Sequence, residues 1–277
     1  MKVFITRQLQ PDTKQTIREL KEQIEQQRHC QFKLAPDFAE QTNDQIRHVL
    51  CFKEETLIAY AFLSFYDESE LEVTMIVHEN LACLQQLLDE IMRFAQTIGR
   101  TTILYITDPR DLFLKHYFES KKELNKQFTE YRLILQPNKF KQLDSPYRPQ
   151  KATLKESSLI AQLQLGEIGA TVPPLSSEDL EKTVVFHKEN QLIACARIEE
   201  DLSSYGIYGL VVAPAFRGQG LGKLCLNRLI QELLIKEEKE IYLEVDATNQ
   251  IAYDLYVNMG FEKKSTFDYY VCQLTKY

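Results

Sequence analysis

The stretch Leu210-Val-Val-Ala-Pro-Ala-Phe-Arg-Gly-Gln-Gly-Leu-Gly-Lys223 decides the reading of this chain. An apolar run ends at Pro214, a glycine-rich loop runs from Arg217 to Gly222, and an amphipathic helix pattern follows. A strand, a loop of unobstructed backbone N–H groups and a helix N-terminus form an anion site, because orphan amides and the positive helix end face the ligand. Glycines at 218, 220 and 222 let the backbone approach a phosphate closely. A Walker A loop needs a glycine where Arg217 stands and a Ser or Thr where Leu224 stands, so that motif is excluded. A Rossmann fingerprint needs Gly-x-Gly-x-x-Gly, and the spacing here is Gly-x-Gly-x-Gly. An ordinary tight β–α turn is the plain alternative.

Downstream, Ile241-Tyr-Leu-Glu-Val245 reads as a short strand. It is followed by Asn249-x-x-Ala252-x-x-Leu255-Tyr256-x-x-x-Gly260-Phe261. Ala252, Leu255 and Tyr256 share one face of a short helix, and Gly260 suits its end. Arg-x-x-Gly-x-Gly behind a Val-x-Pro strand end, with this second motif after it, resembles the GCN5-related N-acetyltransferase (GNAT) family. The wording is especially similar to the branches that acetylate ribosomal proteins and small amines.

Two halves of the chain look alike. Val49–Leu63 aligns without gaps on Val184–Ile198 with seven of fifteen positions identical, and both segments read as apolar hairpins. Asp111–Glu119 aligns on Asp254–Glu262. Each half also carries a long amphipathic helix, one with Leu84, Leu87, Leu88 and Ile91, the other with Leu226, Leu229, Ile230 and Leu233. The first half lacks the loop glycines: it reads Val77-His-Glu-Asn-Leu-Ala-Cys-Leu-Gln-Gln86, and the gapless alignment sets Phe113 against Tyr256 and Tyr117 against Gly260. The expected fold is α/β with mixed sheets, as two tandem GNAT-like domains. Residues 1–140 form a degenerate domain without a cofactor loop and residues 147–277 the catalytic one. The polar, proline-punctuated Pro137–Pro149 reads as the linker.

The remaining composition is that of an ordinary globular protein: 277 residues, 44% apolar and 26% charged. The net charge of −7 argues against nucleic acid as a main partner, and local geometry must then bind an anionic cofactor. The six cysteines are scattered without a Cys-x-x-Cys pair, and the five histidines show no metal-ligand spacing. Reduced core cysteines, a cytoplasmic setting, no metal and no membrane span are therefore expected.

The resemblance implies acetyl-CoA as co-substrate, lying in a split between two parallel strands. The edge of strand Tyr208–Val212, through Leu210, Val211 and Val212, would bind the pantetheine arm. The loop Arg217, Gly218, Gln219, Gly220, Leu221, Gly222 and Lys223 would hold the pyrophosphate, with Arg217, Lys223 and Arg228 adding charge. Tyr256 is expected as general acid toward the leaving thiolate, or as a core tyrosine. Glu244 is expected as general base, directly or through water, or as a solvent-facing strand residue. Asn249 is expected to bond the pantetheine, to cap the helix, or both. A β-strand amide near Val212 would serve the oxyanion. Tyr253, Tyr269 and Tyr270 line the acceptor site or belong to the core. The loop 169–177 is a candidate substrate loop or plain surface. The acceptor would be a small amine or a peptide N-terminus, and the protein a monomer or homodimer. The competing reading is an acyl-CoA-binding sensor that catalyses nothing, for which an intact Tyr256 has no use.

Overall fold

A computed structural model describes residues 1–166 and 168–274. The chain divides into two compact units, one of residues 1–130 with 265–274 and the other of residues 131–264.

The first unit opens with strand β1 (Lys2–Thr6) and helix α1 (Pro11–Arg28). Pro11 starts α1, Asp12 and Arg28 complement its dipole, and His29 ends it in the left-handed region. Strands β2 (Ile46–Lys53), β3 (Thr56–Ser64) and β4 (Glu70–Val77) lead to helix α2 (Leu81–Thr97), strand β5 (Thr102–Thr107) and helix α3 (Leu112–Glu119). The sheet is buried on both faces, so its strands alternate between two cores. Val73, Met75 and Val77 meet Leu84, Leu87, Leu88 and Ile91 of α2. Ile76 and Tyr60 meet Ile17, Leu20 and Ile24 of α1 on the opposite face.

Strand β6 (Leu124–Leu135) begins in the first unit and ends in the second. The second unit continues with β7 (Gln150–Lys151), α4 (Ser157–Leu165), α5 (Ser177–Lys182), β8 (Thr183–Lys188), β9 (Gln191–Glu200) and β10 (Ser204–Val212). After a 3-10 turn at Pro214–Phe216 come α6 (Leu221–Lys236), β11 (Glu240–Asp246), α7 (Gln250–Asn258) and β12 (Phe261–Gln273). The β8–β9 hairpin closes on Glu189 and Asn190, both at positive φ, as a two-residue turn matched to strand twist requires.

In the second unit the strand order is β6-β11-β10-β9-β8-β7. One face packs Leu226, Leu229, Ile230 and Leu233 of α6 against Ile207, Ile241, Leu243 and Val245. Ile160 and Leu163 of α4 and Leu180 of α5 pack with Val185 and Cys195 on a smaller core. The proline-punctuated stretch read as a linker is fastened to α6: buried Asn227 accepts the Leu143 amide at 2.8 Å and donates to the Lys141 carbonyl at 2.9 Å.

From Ser265 onward β12 belongs to the first unit, where Asp268–Gln273 pairs antiparallel with β5. The compact units therefore do not follow the repeat: β6 and β12 each cross from one to the other. Tyr270 is a core residue of the first unit, and Tyr269 stacks on Phe128 there at 4.1 Å. Both residues belong to the part of β12 that lies in the first unit.

Candidate functional site

Parallel strands β10 and β11 pair from Ser204–Glu240 to Ile207–Leu243 and then part. On its other edge β10 stays on β9 through Val211–Cys195 and Val212–Ala194, after a register shift between Tyr208 and Val211. Gly209 sits in that shift at φ +55, a conformation that costs glycine little. Past Ile207, the β10 edge that faced β11 presents backbone groups without a strand partner among the described residues. Leu210, Val211 and Val212, all partly buried, lie on this freed segment.

The freed edge runs into the glycine loop. The Arg217 amide donates to the Pro214 carbonyl at 3.3 Å, and the Arg217 side chain folds back to donate from Nε to the Val212 carbonyl at 2.9 Å. Gln219 donates from its side chain to Ala215 at 3.2 Å. Gly218 and Gly220 both take φ +74, and the space a Cβ would enter is open at each. Gly220 is the N-cap of α6, and no side chain caps that helix. The first-turn amides of Leu221, Gly222 and Lys223 thus face the loop with the positive helix end behind them. Gly222 has a packing reason as well, since a Cβ there would stand 3.1 Å from Val212.

Three further expected residues surround the split. Asn249 caps α7 by accepting the Ala252 amide at 3.1 Å. Tyr256, only 8% exposed, packs edge-on to Phe261, and among the described residues its hydroxyl makes no hydrogen bond. Burial pushes its phenol up to about 12, so it stays protonated at neutral pH. Glu244 and Tyr208 occupy the first position beyond the last paired residues of their strands. Glu244 is not solvent-facing: its side chain is 6% exposed, and Oε1 accepts from Nε and Nη2 of Arg132 at 3.0 and 2.9 Å.

Residues 143–261 match the model of the acetyltransferase (GNAT) family. This segment is a GNAT domain. It is 33% identical over 78 residues to the [Ribosomal protein bS18]-alanine N-acetyltransferase of Haemophilus ducreyi, covering 28% of this chain and 54% of that protein. It is also similar to N-alpha-acetyltransferase 60 of Danio rerio, 32% identical over 130 residues, covering 46% and 52%. The chain spans about half the length of these curated relatives. The fold as a whole is similar to a GCN5-related N-acetyltransferase from Sphaerobacter thermophilus, with TM-score 0.75 and 12% identity over 99% of this chain and 96% of that one. It is also similar to a tandem GNAT protein from the clavulanic acid biosynthesis pathway, with TM-score 0.67 and 11% identity over the full length of both.

The first unit repeats the split of the GNAT domain and fills it. There β4 and β5 pair in parallel from Glu70–Thr102 to Thr74–Ile106 and then part. Arg28 enters the gap: it donates to both Asp111 carboxylate oxygens at 3.0 and 2.9 Å and to the Val77 carbonyl at 2.8 Å, over the Phe113 ring. The α2 N-terminus is capped by Asn80, whose side chain accepts the Cys83 amide at 3.0 Å. That cap takes up one of the first-turn amides of α2 that an anion would use. The gapless alignment of Phe113 on Tyr256 is also corrected: counted from the capping residue, Tyr256 is as far from Asn249 as Phe118 is from Asp111. Buried Phe118 stacks on Tyr105 there, so the position still lacks a hydroxyl.

Sequence reading missed three residues around the GNAT domain's split. Tyr208 and Tyr242 meet hydroxyl to hydroxyl at 2.8 Å, and Arg132 lies 4.7 Å over the Tyr242 ring. Gly206 makes room for the pair, since a Cβ there would come within 2.6 Å of Tyr208 and 2.8 Å of Tyr242. Alternation along β11 puts Tyr242 on the face of Glu244 and was a usable signal. Arg132, more than a hundred residues away in sequence, had none. Tyr253 packs edge-on to Tyr131 at 5.7 Å. Among the described residues no group of three or more His, Cys, Asp or Glu side chains could hold a metal ion, and no helix is long and apolar enough to cross a membrane.

Proposed function

We propose that the second unit transfers an acetyl group from acetyl-CoA to a primary amine. The observation that carries this reading is the freed β10 edge running straight into an uncapped, glycine-lined helix N-terminus. That combination suits a long ligand with an amide-bearing arm and a pyrophosphate. The residues fit the group: open space at Gly218 and Gly220 admits phosphate oxygens, and the amides of Gly218 to Lys223 would hold them. Arg217, Lys223 and Arg228 add positive charge around the loop, and Asn249 keeps its side-chain NH2 for the arm while it caps α7.

Bound acetyl-CoA supplies an acyl thioester at the point where β10 and β11 part. A β10 amide near Val212 polarises the carbonyl oxygen. The acceptor nitrogen forms its bond to the acyl carbon as the carbon–sulfur bond breaks. Tyr256 gives its proton to the departing sulfur, which its raised pKa permits because the phenol is fully protonated beforehand. The proton lost by the amine passes toward Glu244, directly or through water. A free alkyl amine is about one part in 10³ of the ammonium at pH 7, so a negative group at this spot helps at the costliest point. The names of the relatives favour a peptide N-terminal amine among possible acceptors.

Calorimetric titration of acetyl-CoA into the full chain, followed by amine-dependent thiol release, tests the reading. One site per chain with thiol release that requires an amine is expected. Binding without release on any amine would favour the sensor; two sites would mean that the first unit also binds.

A further inference from the structure

Arg132 is a largely buried cation at the split, and it touches Glu244. It arrives on β6, from sequence ahead of the matched GNAT segment, and takes the sheet position beside β11. We propose that Arg132 is a positioning residue for acetyl transfer: it fixes the Glu244 carboxylate, ionised and oriented, at the mouth of the split where the acceptor amine arrives. This rests on the acetyltransferase reading above.

Three observations carry it. Glu244 lies where β10 and β11 separate, one residue beyond the last pair. A carboxylate that is 6% exposed is strongly disfavoured unless a cation and hydrogen bonds compensate it, and two guanidinium nitrogens converge on its Oε1. The guanidinium in turn lies 4.7 Å over the Tyr242 ring, whose hydroxyl meets Tyr208, so the arm that holds the carboxylate is itself held.

Arg132 from β6, Tyr242 from β11 and Tyr208 from β10 face Glu244 among the described residues; Arg197 from β9 lies 5.5 Å from the Tyr208 ring. Burial and then the Glu244 charge push the Tyr208 phenol well above its ordinary range, and burial raises Tyr242 too. Both phenols therefore stay neutral, and Arg132 brings a compensating charge into direct contact with the carboxylate. Burial works against the Arg132 charge, yet Glu244 and the two phenols hold its pKa above the ordinary value. Without the guanidinium, the buried carboxyl would take up a proton at higher pH. An ionised, fixed oxygen can accept a hydrogen bond from the amine and pull its proton outward. A protonated or swinging carboxyl can do neither.

The test is kcat/KM for a peptide amine between pH 5 and 9 in the full-length protein and in Arg132→Met, Arg132→Lys and Glu244→Gln, with acetyl-CoA affinity measured beside it. Arg132→Met is expected to lose about tenfold or more in kcat/KM for the amine. Its acid limb should move up by about one pH unit or more while acetyl-CoA affinity holds. Arg132→Lys should keep the limb near its original place, and Glu244→Gln should abolish it. Loss of activity with an unmoved limb, in whichever Arg132 variant folds, overturns the positioning role and leaves the acetyltransferase reading standing. Wild-type protein that turns over no amine overturns both.

Discussion

The phenol of Tyr256 is placed to give up a proton and to do little else. It is buried, its hydroxyl has no hydrogen-bond partner among the described residues, and desolvation keeps it protonated to about pH 12. Tyr256→Phe is therefore expected to lower turnover about 10²-fold or more while acetyl-CoA affinity stays within a few-fold. Equal turnover in a steady-state thiol-release assay would remove the residue from the mechanism. Gly220 bears on binding instead. A side chain there would be strained at φ +74 and would stand over the open α6 amides. Gly220→Glu adds a negative charge to that obstruction, and calorimetry is expected to find no acetyl-CoA binding. Retained affinity would mean that the pyrophosphate lies elsewhere.

At the scale of elements, the two units differ in how a helix begins. In α2 the capping side chain is Asn80; in α6 the cap is Gly220, which has none to offer. An asparagine cap stabilises a helix by only about a few tenths of a kcal/mol over a glycine cap. The GNAT domain forgoes that at α6, and the freed amides are what an anion needs. This contrast was legible in the sequence, since Asn80 and Gly220 stand at matching points of the repeat. The hairpins and the apolar stripes of α2 and α6 were legible because each is a local pattern of period two or 3.6, whereas the split was implied only by the family resemblance. The filling of the first unit's gap by Arg28 was not, because it depends on the end of α1 meeting the start of α3. Glu244 was visible as a residue, but its ion pair was not.

The same unit contains a titrating element. His48 of β2 is fully buried, with Nδ1 at 2.8 Å from the Tyr60 hydroxyl and Nε2 at 3.0 Å from the Gln41 carbonyl. Burial lowers its pKa, and the nearby Lys14 charge adds to that. The unfolded histidine titrates near ~6.5. The stability it contributes is present above that value and is lost as pH falls toward the lower folded pKa. The melting temperature of the full chain is expected to drop more steeply between pH 6.5 and 5 than that of His48→Gln. Parallel curves would show that His48 is not the titrating group.

For the whole molecule, the crossing of β6 and β12 governs what can be removed. A chain starting at residue 141 loses Arg132 together with Leu133 and Leu135, both in the core of the GNAT domain. It also leaves β11 without its neighbour. Removal of two large buried side chains costs about 2–5 kcal/mol each, comparable with the whole stability of a domain. Such a chain is expected to be insoluble, or to melt without a cooperative transition in calorimetry. A soluble, active remainder would show that β6 is dispensable. The repeat alone suggested a clean cut between halves, because two aligned copies read as two contiguous folding units. Which copy's last strand completes which sheet is a tertiary choice with no signature in either strand's own pattern.

That choice has a consequence for how the protein is made. On the ribosome, β6 is finished before the GNAT sheet that needs it begins to appear. The residues of β12 that cover β5 are translated only after the whole second unit. At about 5–20 residues per second, the β5 edge waits on the order of ten seconds or more for its partner. During that interval the nascent chain carries an uncovered, apolar parallel strand, the kind of surface that chaperones bind and that other nascent chains can join.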